Sequence, residues 1–227
     1  MSVFKPVIYD GMIQRQIFPG DVMGGGEILS SLTTAGSGTL TGALLTSGII
    51  NRTGPAGGFT DTTDTAANII AALIAQYSYQ QSPTNGISSG NAIQPGLTFR
   101  LRYINTVAFA MTLAAGTGVT ITANGNVDAS SVKDYLLTVL NGTPQQVFAA
   151  NQTSGSAVIT GLTQFQTSLL SVGQLVTGTN IPGGARVISV QQGVGVTLSA
   201  NATATLSLNA LTFAPSVSIV GLGQGLL

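Results

Sequence analysis

The chain has 227 residues, enough for one large domain or two small ones, and only 6% of them are charged, against about 25% in ordinary soluble domains. Seven basic and seven acidic side chains cancel, which leaves no electrostatic footprint for nucleic acid or for an anionic membrane surface. With 44% hydrophobic residues and a mean hydropathy of +0.42 the chain is not of the disordered kind; so little charge favours association, and the surface is expected to be solvated by Thr, Ser, Asn and Gln, buried against neighbouring chains, or both.

In chain order, Val7-Ile8-Tyr9 and Gln16-Ile17-Phe18 read as short strands around the Asp10-Gly11 turn signal, with Pro19-Gly20 closing the unit. Lys5-Pro6 and the interrupting Asp10 argue against a signal peptide. Gly24-Gly25-Gly26 opens a Gly/Thr stretch with weak alternation, so residues 1–60 are expected to form an extended N-terminal arm with short strands. Asp61 to Gln76 is the one short helix expected. Ala66, Ile69, Ile70, Leu73, Ile74 and Tyr77 recur on one face, and Asp61 or Asp64 can cap its start. Its most apolar part, Asn68 to Ala75, is far shorter than the roughly 20 residues of a bilayer span.

From Leu97 the period changes to two. Phe99, Leu101 and Tyr103 alternate with Arg100 and Arg102, and the pattern extends weakly to Leu113. Val119 to Thr122 reads as a strand followed by the Asn124-Gly125 hairpin signal; Tyr135 to Leu140 and a segment starting at Val147-Phe148 read as further strands. Together, residues 61–150 are expected to form a β body with one helix. Residues 151–215 carry evenly spaced short strands at Ala157 to Thr160, Gln174 to Val176, Ala185 to Val190, Val194 to Ser199 and Ala204 to Leu211. Gly161, Gly173, Gly178, Pro182-Gly183-Gly184 and Gln192-Gly193 supply the turns, as in a small sandwich or barrel. A Gly-rich apolar tail, 216–227, is expected to be tied to the body or to a partner. Residues 116–124 (GTGVTITAN) echo residues 193–201 (GVGVTLSAN), through duplication of a hairpin or through convergence.

Most catalytic chemistry has no carrier here. There is no Cys and no His, which removes the Ser-His-Asp triad, the Cys-His pair and the usual zinc sites. Ser130-Ser131-Val132-Lys133 has a Ser-x-x-Lys spacing, but it precedes a strand and lacks companion motifs, so it reads as a loop with one solvated lysine. Asp10, Asp21, Glu27, Asp61, Asp64, Asp128 and Asp134 give no local carboxylate pair suited to glycoside hydrolysis, and Asp61 with Asp64 lacks the spacing of a calcium loop. Gly36, Gly38 and Gly42 form no phosphate loop, having neither the lysine nor the strand-to-helix context. The chain is therefore expected to be no enzyme and to bind no cofactor, metal or small-molecule substrate. Arg100 and Arg102 share one face of a strand and suit either an intersubunit contact with a carboxylate such as Asp61 or Asp134, or a solvated outer face.

Three segments carry a family resemblance. KPVIYDGMIQRQIFPGDV (5–22) looks like the start of many phage head and tail surface proteins. FTDTTDTAANIIAAL (59–73), together with 99–140, is similar to a domain of phage capsid decoration (cement) proteins. VGQLVTGTNIPGGARVISV with VTLSANATA, within 172–204, resembles a small β module recurring in phage structural proteins. The resemblance implies a mainly β fold with a β-sandwich or jelly-roll-like body, a homotrimer, a place on the capsid surface of a virion, and the major capsid protein as partner, with no role for nucleic acid or membrane. A tail or head fibre component involved in host attachment is the alternative, with Tyr77 and Tyr79 as candidates for an exposed tip. Phe4, Ile8, Tyr9, Ile17 and Phe18 of the arm, with Arg52, Arg100 and Arg102, are the candidate interface residues.

Overall fold

A computed structural model describes residues 8–9, 12–13, 28–78, 93 and 95–227, with the backbone alone at 8–9, 12–13 and 77–78. The chain is mainly β, as expected. Strand β1 (Ile8–Tyr9) pairs antiparallel with β2 (Met12–Ile13); the turn expected at Asp10-Gly11 and the strand expected at Gln16 to Phe18 lie outside the described residues.

The next six strands alternate between two sheets. β3 (Ile28–Leu32), β5 (Gly48–Arg52) and β7 (Thr98–Asn105) lie side by side and parallel in one. β4 (Gly38–Leu40), β6 (Phe59–Thr63) and β8 (Met111–Ala114) do the same in the other. Parallel neighbours cannot be joined by a tight turn, and here each connection makes a round trip through the opposite sheet. The chain thus winds through three turns of a short coil. The first turn is short, with Ile28 opposite Gly48 and Gly38 opposite Asp61, and the second is more than twice as long, with Ile49 opposite Arg102 and Phe59 opposite Met111. Helix α1 (Gly42–Leu45) lies in the first and α2 (Ala66–Ser78) in the second. Gly42 permits their contact, since a Cβ there would sit 2.5 Å from the Asn68 carbonyl oxygen.

β9 (Val119–Thr122), β10 (Ser131–Asn141) and β17 (Ser216–Leu226) complete the first sheet in the order β3-β5-β7-β10-β17-β9. β10 is antiparallel to both of its neighbours, and β9 is parallel to β17. Inward residues of β5, β7, β10 and β17 (Ile50, Leu101, Leu137, Ile219) meet Phe59, Met111 and the α2 face of Ala66, Ile69, Ile70 and Leu73 in one core.

Between β10 and β17 the chain builds a second module. β11 (Gln146–Gln152), β12 (Val158–Thr160), β13 (Leu175–Thr177), β14 (Val187–Gln191), β15 (Gly195–Leu198) and β16 (Leu206–Ala214) pair antiparallel in the order β13-β16-β11-β12-β15-β14. The two end strands are also joined: Leu175 bridges Arg186, the Val176 N–H donates to the Ala185 carbonyl at 2.8 Å, and the Val187 N–H donates to the Gln174 carbonyl at 3.0 Å. The sheet therefore closes on itself as a six-stranded barrel. Closure removes the edges that would invite further pairing. Its interior holds Ala150, Ile159, Val176, Val187, Val196, Leu198, Leu211 and Phe213. Helix α3 (Gln164–Ser168) covers part of it, opened by a capping box in which Thr163 and Gln166 exchange hydrogen bonds.

Several expectations are corrected. Residues 28–60 are not an arm: Ile50 and Arg52 point into the core, and β5 is an inner strand. Parallel pairing joins residues far apart in sequence, so the Gly/Thr stretch carried no local sign of it. The body is not jelly-roll-like in its pairing, because six of the nine strands in its two sheets lie in parallel columns, whereas a jelly roll is antiparallel. Among the described residues there are three helices rather than one, and α2 begins at Ala66 because 59–63 is a strand; Thr65 serves its start, its hydroxyl accepting from the Asn68 N–H at 3.2 Å. Asn124-Gly125 does not turn a hairpin between β9 and β10, since β9 pairs with β17 instead. The echoing segments therefore sit in different pairings, parallel for β9 and antiparallel for β15. The barrel begins at β11, before residue 151, and the 216–227 tail is an inner strand of the body.

Barrel closure can be tested at Gly195, where a Cβ would lie 1.8 Å from the Ile159 carbonyl oxygen across the β12–β15 ladder. Gly195→Ala must break that contact and is expected to destabilise the barrel by about 2–4 kcal/mol. Calorimetry should show the loss in a barrel transition, with the body transition moved less.

Candidate interaction surfaces

On the outward face of the body sheet, alternation along β7 buries Phe99, Leu101 and Tyr103 and exposes Arg100 and Arg102. In the β7–β10 register Asp134 stands opposite Arg102, and Arg100 is its diagonal neighbour. The Arg102 Nε and Nη2 donate to the two carboxylate oxygens at 3.0 and 3.3 Å, and an Arg100 Nη donates to the same carboxylate. Burial pushes the Asp134 carboxyl up, but the guanidiniums of Arg102 and Arg100 outweigh it and hold the group below its ordinary 3.8. The arginine side chains remain 45% and 50% exposed. The expected Asp134 pairing is thus made within the chain, on an exposed face that carries two guanidiniums on one carboxylate.

Arg52 is placed quite differently. It is fully buried, as are Asp61 and Tyr103, so Arg52 is not an interface residue and Asp61 is not a helix cap. The Arg52 Nε donates to Asp61 Oδ2 at 2.9 Å, while its Nη1 donates to the carbonyls of Leu32, Thr34 and Thr53 at 2.7 to 3.1 Å and its Nη2 to that of Gly36. Asp61 also accepts from the Tyr103 hydroxyl at 2.6 Å and from the Gly38 N–H at 2.8 Å. The guanidinium stacks 4.9 Å from the centre of the Phe59 ring. Removing either charge leaves the other buried and unmatched, at a cost of about 3–5 kcal/mol.

Lys133 is likewise buried rather than solvated. Its Nζ donates to the carbonyls of Asn124 and Asn126, and the Tyr135 hydroxyl donates to that of Gly125. The two side chains clamp the 124–126 loop across the end of the sheet. Burial lowers the Lys133 ammonium's pKa, with Asp128 opposing. Ser130 is exposed while the buried Lys133 ammonium is engaged by the Asn124 and Asn126 carbonyls, so the Ser-x-x-Lys spacing does not set the lysine as a base beside the serine. Asp64 accepts from the Gly42 and Thr65 N–H groups and from Asn68, which joins α1 to α2.

The remaining surface is apolar in places. Ile28 and Leu29 are exposed on the edge strand β3, as are Leu222, Leu226 and Leu227 at the end of the chain, and Val147, Phe165 and Leu208 on the barrel. Sequence reasoning missed Leu208. The signal was a phase break: Leu206 and Leu208 alternate in one phase, whereas Leu211 and Phe213 take the other. Of the candidate interface residues, Phe4, Ile17 and Phe18 lie outside the described residues, Ile8 and Tyr9 form β1, and only Arg100 and Arg102 are seen exposed. Tyr79 lies outside the described residues and Tyr77 sits in the last turn of α2. Among the described residues no three metal-ligating side chains gather, and no helix is long and apolar enough to cross a membrane. No family model, curated protein or solved structure matches this chain.

Two outcomes follow from the buried groups. Arg52→Met and Asp61→Ala should each lower unfolding free energy in urea by about 3–5 kcal/mol. The double variant should recover only part of that, since the carbonyls of Leu32, Thr34 and Gly36 lose their donor. Burial, then the Asp61 hydrogen bond and charge, push the Tyr103 phenol well above its ordinary 10.0, and burial does the same to Tyr135. A raised pKa means stability that is complete below pH 10 and is lost as pH rises towards the folded-state values. Phenolate absorbance of Tyr103 and Tyr135 should therefore appear only together with loss of near-UV circular dichroism, and phenolate formed in a still-folded chain would contradict it.

Proposed function

We propose that this chain is a capsid decoration (cement) protein of a tailed phage, acting as a homotrimer that binds the major capsid protein shell and stabilises it. The observation that carries the reading is a surface of little charge with large apolar side chains exposed on both modules. Such a surface is poorly suited to a lone molecule and well suited to repeated contacts in a large assembly. The sequence resemblance of 59–73 with 99–140 to capsid decoration proteins supports the same reading, and that of 5–22 to phage head and tail surface proteins and of 172–204 to phage structural proteins supports a place on the virion. A buried ion pair, a closed barrel and clamped loops are consistent with a part that confers rigidity rather than one that moves.

On this reading the protein does no chemistry and its work is mechanical. A standard interface removes about 800 Å² from each partner, roughly 20–30 residues a side. Repetition over a lattice then turns modest contacts into a stiff shell. Arg100 and Arg102 would meet carbonyls or carboxylates of the neighbour, and the apolar edge at Ile28 and Leu29 would be covered. The wound coil of parallel strands favours a second reading, a tail or head fibre component in host attachment, because stacked parallel turns are how solenoid proteins make elongated bodies.

Purified protein added to empty phage shells that lack it separates the two. A cement protein should sediment with the shells in a fixed ratio to the major capsid protein, saturate, and raise the temperature at which the shells break; light scattering should give a trimeric mass. An elongated oligomer that ignores shells and adheres to host cells would replace this reading with the fibre.

A further inference from the structure

The barrel is almost free of charge. Between β10 and β17 Arg186 is the sole ionisable side chain, and one of its Nη groups is spent on the Gly173 carbonyl. On the outer face of the β11–β16 pair, Val147 stands opposite Thr212 and Ala149 opposite Ala210, all pointing away from the barrel interior. At the far end of this face the ladder is interrupted. Ala150 pairs with Asn209 and Gln152 with Leu206, so Ser207 and Leu208 together face Asn151 in a β-bulge. Leu208 has φ of 52° and is 75% exposed, and its N–H is taken by the Asn151 side-chain oxygen at 2.9 Å.

Two costs coincide at Leu208. A bulky residue in the left-handed region is an outlier, and a leucine side chain standing in water forgoes burial. Neither serves the barrel interior, which Leu211 and Phe213 fill from the next positions of the strand. Strain of this kind persists where a side chain is aimed for a purpose. We propose that the β11–β16 face is a self-association surface, with Leu208 of one copy seated on Val147 of a second.

The patch is complementary to itself. A projecting leucine lies at one end, a valine at the other, and two alanines make a shallow centre. A two-fold axis through the Ala149–Ala210 pair sets each Leu208 against the other copy's Val147, as an isologous contact requires. The face carries no charge, so two copies meet without desolvating an ion, whereas a charged partner would have nothing to pair with. Leu208 and Val147 are the large exposed apolar side chains of this face, so the contact is weak on its own and gains strength where copies are held close together. It is a contact between copies of this chain and does not depend on binding to a shell.

The test is light scattering or sedimentation equilibrium of the full chain at concentrations up to about 1 mM, where weak contacts are populated. The wild type should show a concentration-dependent doubling of whatever mass it has when dilute. Leu208→Gly and Leu208→Asn, whose new residues tolerate positive φ, should weaken that doubling at least tenfold while leaving the melting temperature unchanged or raised. Val147→Thr should weaken it as well. The proposal is overturned if the wild type shows no doubling, or if both Leu208 variants associate as the wild type does. A lower melting temperature in both Leu208 variants would also overturn it, by making Leu208 a structural residue. Shell binding can succeed or fail independently of each result.

Discussion

The Arg52–Asp61 pair sits where the two sheets of the body meet, and the arrangement of the coil follows from satisfying it. Arg52 is contributed by β5 and Asp61 by β6, and the pair reaches β7 through Tyr103, β4 through the Gly38 N–H and the 32–36 loop through three carbonyls. A buried charge must find its full complement of partners or destabilise the fold. Here those partners come from successive turns of the coil, so satisfying the ion pair sets the turns in register. A purely apolar centre would be as stable but would tolerate slippage of one strand column against the other, because short strands in a Gly/Thr-rich chain have few distinctive side chains to hold a register.

The rest of the body is arranged around this centre. The α2 helix packs its Ala66, Ile69, Ile70 and Leu73 face on the core that the pair borders, and Asp64 ties α1 to the start of α2. β10 then closes the coil with antiparallel pairing, which presents Arg100, Arg102 and Asp134 outward while Lys133 and Tyr135 turn inward to clamp the 124–126 loop. Among the described residues the buried charges are matched inside the fold, Arg52 by Asp61 and backbone carbonyls and Lys133 by two backbone carbonyls. That matching leaves a surface solvated mainly by hydroxyl and amide groups, the condition in which an apolar or neutral contact costs least to form.

What the sequence revealed depended on whether the signal was local. The barrel strands were legible to within a few residues, because most of the short apolar runs end at a glycine or proline turn; their pairing was not, since β13–β16, β16–β11 and β12–β15 join strands that are not consecutive in sequence. The α2 face was legible from the spacing of Ile69, Ile70 and Leu73. The coil was not: β3, β5 and β7 pair over tens of residues, and their pattern is diluted by Ser30, Ser31 and Asn51. Asp61 was read as a helix cap since a carboxylate before a helix usually is one; its burial makes sense only with Arg52, which no local rule connects to it. Of the candidate interface residues, Arg100 and Arg102 were rightly placed on an outer face by alternation. Arg52 was misplaced because a lone arginine in a Gly/Thr stretch looks solvated.

The position of the barrel within the body has a thermodynamic consequence. Asn141 and Ser216 are partners at the end of the β10–β17 ladder, and the whole barrel lies between them. Were the barrel unfolded, β10 and β17 would have to meet across a disordered loop of that length, an entropic penalty on the order of 4 kcal/mol. A folded barrel, whose chain ends already emerge side by side, reduces that penalty to the fixing of a few connecting residues. The two modules are therefore coupled through chain connectivity, beyond the few contacts that Asn141 makes with Ser171 and Val172. Anything that holds the barrel folded, a neighbouring copy included, tightens the central strands of the body at a distance, with no rearrangement of the body required.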